Sequence, residues 1–335
     1  MSAGVQRRYV VGTRGSALAR WQTAHVTTML RAAHAGQALE VAERVITTQG
    51  DTSLAERLVG QIEKGFFTAE LEAELRTRGI DWAVHSLKDL PTSLPEDLAV
   101  AAVLPRVSPA DLLIVHESAF FERGPGLLPL VDGARVGTSS LRRDSLLKTF
   151  APTCLSQPLR GNVPTRVDKL RAGTYEAIVL AAAGVTRLAL DLSGLSVLQL
   201  EPCRWQPAPG QGAIAVEARA HDDEVHAVLA SIDDPPSRAA CHLERSFLRV
   251  LEGGCTTPFG AHVAHVAHDG NDANAARAHL GRAGDDGLWR TASVALEASI
   301  ASPIDEDFIH RALAALNNAH KESAHDDVTR LWRPL

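Results

Sequence analysis

The sequence predicts an α/β protein: doubly wound units with helices on both faces of parallel or mixed sheets, followed by a small α+β domain. Three observations predict this. Short apolar runs alternate with helical stretches from residue 10 to residue 187. Segments rich in proline or glycine at 105–109 and 202–212 interrupt the alternation and read as crossings between units. Beyond Asp233-Asp234-Pro235-Pro236 the pattern changes to one helical stripe, three alternating runs and a closing helix. At 335 residues the chain exceeds a single core of ordinary size, which implies two or three domains.

The elements follow in order. Residues 10–11 begin a strand, Gly12 interrupts it, and Ser16 caps a helix over 17–33. Residues 41–47, 82–84 and 99–103 read as strands. Residues 68–78 read as a helix starting at Thr68, and Lys64-Gly65-Phe66-Phe67 before it reads as a mobile glycine hinge able to cover a site. The second unit has strands at 112–115, 134–136, 155–159 and 177–180, with helices between them. A helix over 238–250 precedes alternating runs at 261–267, 275–280 and 288–296, which predict an antiparallel sheet. Residues 305–317 form the closing helix.

One design recurs. The run Ala-Arg-Val-Gly-Thr-Ser-Ser-Leu-Arg-Arg-Asp at 134–144 gives an apolar strand, a glycine, a capping Ser139 or Ser140, and Arg142 and Arg143 in the first helical turn. Cations there oppose the helix macrodipole, so a chain built only to fold would place acids instead. Guanidinium groups, a hydroxyl and free N–H groups at one helix start make an anion site. The plain alternative is two solvated arginines. The pattern repeats at Gly12-Thr-Arg14-Gly-Ser16 and at Leu159-Arg160-Gly161-Asn162-Val-Pro164-Thr-Arg166, where Asn162 is a candidate cap and Pro164 suits the first turn. It repeats again at 177–184, ahead of a short helix carrying Arg187. Each arginine lies at or just past the carboxyl end of a strand, where open α/β sheets bind ligands. Six such arginines imply a ligand with several carboxylates or phosphates.

Composition narrows the partners. Net charge is −6, with 45% hydrophobic and 22% charged residues, and the pI is near 6.2. This is ordinary for a soluble protein and suggests neither nucleic-acid binding nor a membrane span. Residues 1–9 lack an apolar signal core, which points to the cytoplasm. The cysteines at 154, 203, 241 and 255 form no C-x-x-C pair, so a zinc or redox motif is not expected. Cys154 and Cys241 read as buried small hydrophobes. His262, His265 and His268 read as solvated surface residues rather than metal ligands. The run Gly-Gln-Gly-Ala-Ile-Ala at 210–215 matches a dinucleotide fingerprint in letters only, because Pro207 and Pro209 stand where a strand is required.

Two places carry chemistry. Residues 80–91 put Lys88 and Asp89 directly after an apolar strand, where a neighbouring ammonium and partial burial pull the carboxyl pKa in opposite directions and poise it for proton transfer. The alternative is an exposed pair in a turn. Leu251-Glu252-Gly-Gly-Cys255-Thr-Thr-Pro258 is a glycine-rich helix exit presenting the one cysteine on a loop. A thiol there serves as a nucleophile or as a covalent anchor, with inert packing as the alternative.

Taken together, Thr13-Arg-Gly-Ser16, Val84-His-Ser-Leu-Lys-Asp89, Gly137 through Arg143, Leu159 through Arg166, Pro209 through Gly212 and Glu252-Gly-Gly-Cys255 resemble the hydroxymethylbilane synthase (porphobilinogen deaminase) family. They occur in the family's order from residue 9 to about 260. The resemblance implies two doubly wound domains like those of periplasmic binding proteins and a third α+β domain bearing the cofactor. The expected boundaries are 1–104 with 206–230, then 109–202, then 233–335. It implies that Cys255 holds a dipyrromethane through a thioether, with Ser140, Arg142, Arg143, Lys88 and Asp89 around it. It implies a catalytic role for Asp89 and Lys88, in which Asp89 accepts pyrrole N–H bonds, stabilises cationic azafulvene character and shuttles protons to the leaving amine. Arg14, Ser16, Arg160, Arg166, Arg187 and Gln211 are expected to bind porphobilinogen, whose acetate and propionate suit guanidinium forks. Four units join with loss of ammonia, in a monomer without metal. Gln49 and Pro164 depart from the family pattern, which bears on loop geometry rather than chemistry. Two competing readings are a solute-binding or effector-sensing protein on the same fold, which has no use for Cys255 or Lys88-Asp89, and a nucleotide-dependent enzyme, which lacks a phosphate loop.

Overall fold

A computed structural model describes residues 7–36, 39–48, 68–124, 126–251, 258–265, 276–296, 306–318 and 331–335. They fall into two compact units. The first comprises the described parts of Met1–Arg57, Ile62–Val107 and Ala213–Arg238; the second comprises those of Ser108–Gly212 and Ala239–Leu335.

The first unit is built on a five-stranded mixed sheet. Its strands are β1 (Arg7–Arg14), β2 (Leu39–Ile46), β3 (Trp82–Ser86), β4 (Leu98–Val103) and β10 (Ile214–Arg219), in the order β2-β1-β3-β10-β4. β1 runs parallel to β2 and β3, whereas β10 runs antiparallel to β3 and β4. Alternation sends Val11, Trp82, Val84, Ile214 and Val216 to one face, where they pack on Val26 and Leu30 of α1 (Ala17–Ala33) and on Val225 and Val228 of a helix at Asp223–Leu229. On the other face Ala83 packs with Leu71 and Leu75 of α2 (Ala69–Arg76). Gly12 is needed for that contact: a Cβ there would stand 3.0 Å from Leu71 and closer still to Ile80.

The second unit carries a six-stranded sheet with β5 (Asp111–His116), β6 (Arg135–Gly137), β7 (Leu155–Gln157), β8 (Ala177–Ala181), β9 (Leu195–Leu200) and β14 (Trp332–Pro334), ordered β14-β9-β5-β8-β6-β7. α3 (Leu141–Phe150) covers one face through Leu146, Leu147 and Phe150, and α4 (Val163–Arg171) covers the other through Val167 and Leu170. The unit also holds an antiparallel meander of β11 (Phe259–His265), β12 (Ala276–Ala283) and β13 (Trp289–Leu296), packed on the helices Pro235–Val250 and Glu306–Asn317.

The structure corrects several local expectations. Gly12 does not interrupt β1, which runs on to Arg14, and Gly137 is the last residue of β6, where Ile178, Tyr175 and Leu159 crowd the space a side chain would need. Leu159 is buried but lies beyond β7, which ends at Gln157. The strands β9, β10 and β14 and the helix Asp223–Leu229 were not anticipated. β10 begins at the end of the stretch matching the fingerprint and is buried on both faces, so its residues show no alternation. His262 is not a solvated residue: its side chain is 16% exposed, with Nδ1 3.8 Å from Glu244 Oε1. The cause is local packing. Glu244 accepts hydrogen bonds from the backbone N–H groups of Gly210 and Val263, which pins the 207–212 segment against β11. That segment also places Gly210 and Gly212 at φ +75° and +92° ahead of a strand rather than a helix, which removes the nucleotide reading. Cys241 is buried and Cys154 half-buried. The hinge at 64–67, Gln49 and His268 lie outside the described residues.

Candidate functional site

In the first unit a cleft forms where β1 and β3 end. Arg14 is the last residue of β1, and Ser16 caps α1 by accepting a hydrogen bond from the Ala19 N–H at 3.3 Å. The first turn of α1 carries no acid, so its exposed N–H dipoles keep the cleft attractive to an anion. Ser86 ends β3 and Leu87–Asp89 make a 3₁₀ turn, anchored by the Leu87 N–H on the Ala213 carbonyl at 3.1 Å. Arg14, Ser16, Gln22, His85, Ser86 and Asp89 thereby line one cleft of about 80 Å³. Asp89 is exposed and Lys88 half-buried. Gln22 donates from Nε2 to Ser86 Oγ at 2.9 Å, which fixes the strand end against α1.

In the second unit the paired arginines are not solvated. Ser140 caps α3, accepting from the Arg143 N–H at 3.4 Å, while Ser139 exchanges hydrogen bonds with the Leu159 backbone. Arg142 and Arg143 reach inward to Asp111, the first residue of β5, which is wholly buried. Asp111 Oδ1 accepts from Arg143 Nη2 at 2.7 Å and Gln211 Nε2 at 2.8 Å. Its Oδ2 accepts from Arg142 Nη2 at 2.9 Å, Trp205 Nε1 at 3.0 Å and Arg143 Nε at 3.1 Å. Arg142 Nη1 donates to the Gln206 carbonyl, and Arg143 Nη1 to that of Val179. Burial by itself would raise the Asp111 carboxyl; the charges of Arg143 and Arg142, with hydrogen bonds from Arg143 and Gln211, hold it well below the usual carboxylate range. Two cations against one anion leave one net positive charge behind the α3 start.

The remaining arginines of this unit differ in exposure. Arg160 and Arg166 are half-buried around the start of α4. Asn162 caps that helix, accepting from the Thr165 N–H at 2.9 Å, and Arg166 Nε donates to the Gly161 carbonyl at 2.7 Å. Gly161 sits at φ +112°, a conformation that favours glycine. Arg187 is buried, donates to the Gly212 carbonyl at 2.8 Å, and is brought down to about 10 by burial, so it stays charged at neutral pH.

Arg14, Ser16 and Asp89 therefore share one cleft, and Ser140, Arg142, Arg143 and Gln211 share one cluster. Cys255 lies outside the described residues. Sequence reasoning passed over Asp111, Trp205, Gln22, Ser86 and His85. A signal existed for Asp111: a lone acid opening the apolar run Leu-Leu-Ile-Val calls for buried counter-charges. Among the described residues no group of three or more His, Cys, Asp or Glu is placed to hold a metal, and no helix is long and apolar enough to cross a membrane.

Comparison with known proteins adds two family matches. Residues 9–227 match the model of the dipyrromethane cofactor-binding domain of porphobilinogen deaminase, and residues 238–271 match that of the C-terminal domain. The chain is 48% identical over 251 residues to a porphobilinogen deaminase of Roseiflexus castenholzii, covering 75% of this chain and 80% of that one. It is 42% identical over 258 residues to that of Desulforamulus reducens, covering 77% and 80%. Among solved structures, the periplasmic VFT2 domain of Bordetella pertussis BvgS aligns with a TM-score of 0.37 and 14% identity, over 67% of this chain and 86% of that one.

Proposed function

The chain belongs to the porphobilinogen deaminase family, and from that premise we propose how its residues divide the reaction. The enzyme is a transferase of tetrapyrrole biosynthesis. It condenses four porphobilinogen molecules head to tail, with loss of ammonia, to hydroxymethylbilane on a dipyrromethane primer.

The donor set fits such a primer. Its acidic side chains call for positive charge and hydroxyls; Ser140 supplies a hydroxyl at the α3 start, and Arg142 and Arg143, whose guanidinium groups face the buried Asp111, leave that start one net positive charge. In our reading these three, with Lys88 and Asp89, hold the primer that Cys255 tethers, and the primer supplies the nucleophilic pyrrole carbon for the first addition. Arg14 and Ser16 receive carboxylates of porphobilinogen at the start of α1. Arg160, Arg166, Arg187 and Gln211 serve the lengthening chain. Asp89, exposed in the cleft, accepts the pyrrole N–H and stabilises the cation that forms as ammonia leaves; Lys88 assists as a carboxylate ligand. The observation that carries this reading is the single cleft containing Arg14, Ser16 and Asp89. Apolar clusters centred on the two larger sheets and on the meander support three domains at 1–104 with 206–230, 109–202 and 233–335, with Trp289, Leu331 and Trp332 of the last joining the core of the six-stranded sheet. A cytoplasmic monomer acting on a small molecule, without nucleic acid or metal, completes the proposal.

Intact mass tests the anchor. The purified chain should exceed its sequence mass by one dipyrromethane and colour with Ehrlich's reagent, and Cys255→Ser should do neither. An unchanged mass in active protein, or normal primer in Cys255→Ser, refutes the assignment.

A further inference from the structure

His85 and Glu217 form a pair that none of the assigned roles uses. Glu217 lies on β10, is wholly buried, and is the one acid in the run Ile-Ala-Val-Glu-Ala. Its strand pairs with β3 so that Glu217 stands opposite Ala83 and Ala215 opposite His85, which puts both side chains on one face of the sheet. His85 Nε2 lies 3.1 Å from Glu217 Oε2, with side chains 4% and 0% exposed. No aligned hydrogen bond from a described residue reaches either Glu217 oxygen. The contact is within ion-pair range without full alignment, a geometry that often tightens only when substrate is bound.

A buried carboxylate without donors is costly, and an ion pair of this kind is a poor device for stability alone, since apolar residues of similar volume serve as well or better. Its position supplies a reason to keep it. His85 lines the same cleft as Arg14, Ser16 and Asp89. The partner of one ring nitrogen sets which nitrogen carries the proton. A proton on Nε2, the nitrogen facing Glu217 Oε2, would leave Nδ1 as the acceptor.

We propose that His85 is a further catalytic base of this cleft and Glu217 its positioning residue. The inference rests on the family's reaction. During chain elongation the methylene carbon of the incoming unit, having lost its amine as ammonia, bonds to the α-carbon of the terminal pyrrole. The α C–H bond then breaks and its electron pair returns to the ring. The proton passes to His85 Nδ1 and leaves with the ammonia as ammonium. Asp89 keeps the separate task of stabilising the cation.

The test uses the full chain and porphobilinogen deuterated at its free α-position. His85→Gln should slow turnover by about 10²- to 10⁴-fold, the range for loss of a general base, and should reveal a primary isotope effect larger than that of the wild type. Glu217→Gln should act in the same direction, and the double variant should be no slower than His85→Gln, as expected of groups acting as one unit. Nitrogen NMR of labelled imidazole in the wild type, assigned by loss of the signal in His85→Gln, should show the Nε2–H tautomer. Primer content and unfolding midpoint separate loss of fold from loss of chemistry; if His85→Gln does not fold, His85→Asn and Glu217→Gln read the same isotope effect. Turnover of His85→Gln within about threefold of wild type, an unchanged isotope effect, or an Nδ1–H tautomer overturns the proposal. A wild-type protein that releases no ammonia from porphobilinogen would instead overturn the functional reading beneath it.

Discussion

Asp111→Asn leaves two buried guanidinium groups without their counter-charge. The carboxylate accepts all five of its hydrogen bonds from donors, and an asparagine would turn its own amide N–H groups toward some of them. Breaking a buried pair by removing one partner costs about 3–5 kcal/mol, because the remaining charge is uncompensated. At a urea dependence of about 3 kcal/mol/M, the midpoint of the second unit should fall by about 1–2 M. Tryptophan fluorescence follows the unfolding, and Trp205, whose Nε1 bonds to Asp111, gives it a probe in this unit. The pH dependence has a definite sign. The folded carboxyl titrates below its unfolded value, so its stabilisation is complete above about pH 4 and is lost as pH falls toward the folded pKa. The gap between wild type and variant should be flat from about pH 5 to 8 and narrow below about pH 4. A midpoint shift under about 0.3 M, or a gap that widens in acid, refutes the argument that Asp111 neutralises this cluster.

Three further outcomes are expected. Asp89→Asn, at an exposed position, should leave the unfolding midpoint unchanged while slowing ammonia release by about 10²-fold or more; near-normal rates would show the charge to be dispensable. Gly161→Ala should destabilise the second unit by about 1 kcal/mol or more, because φ is +112° and the new Cβ would meet Thr165 Cγ2 at 2.9 Å; a thermal melt unchanged from wild type would contradict this. Ser140→Ala removes the cap on α3 and should cost about 1 kcal/mol, read as a lowered unfolding midpoint; an unchanged midpoint would contradict the capping role.

The sequence by itself determined the local design. Serine or asparagine after a strand end, followed by an uninterrupted helical stretch, fixes where α1, α3 and α4 begin, because capping is decided within four residues. The same locality made Lys88 and Asp89 legible at the end of β3. Strands β10 and β14 were not legible, since a strand buried on both faces or made of three residues carries no period to read. The tertiary structure alone decided what each charge faces. Nothing near Arg142 and Arg143 in sequence foretells Asp111, 31 and 32 residues away, and nothing near His85 foretells Glu217 on a strand that returns to the sheet from the far side of the second unit's sequence. Burial and counter-charge are properties of the packed sheet, and they separate an arginine that neutralises a buried acid from one that lines a cleft.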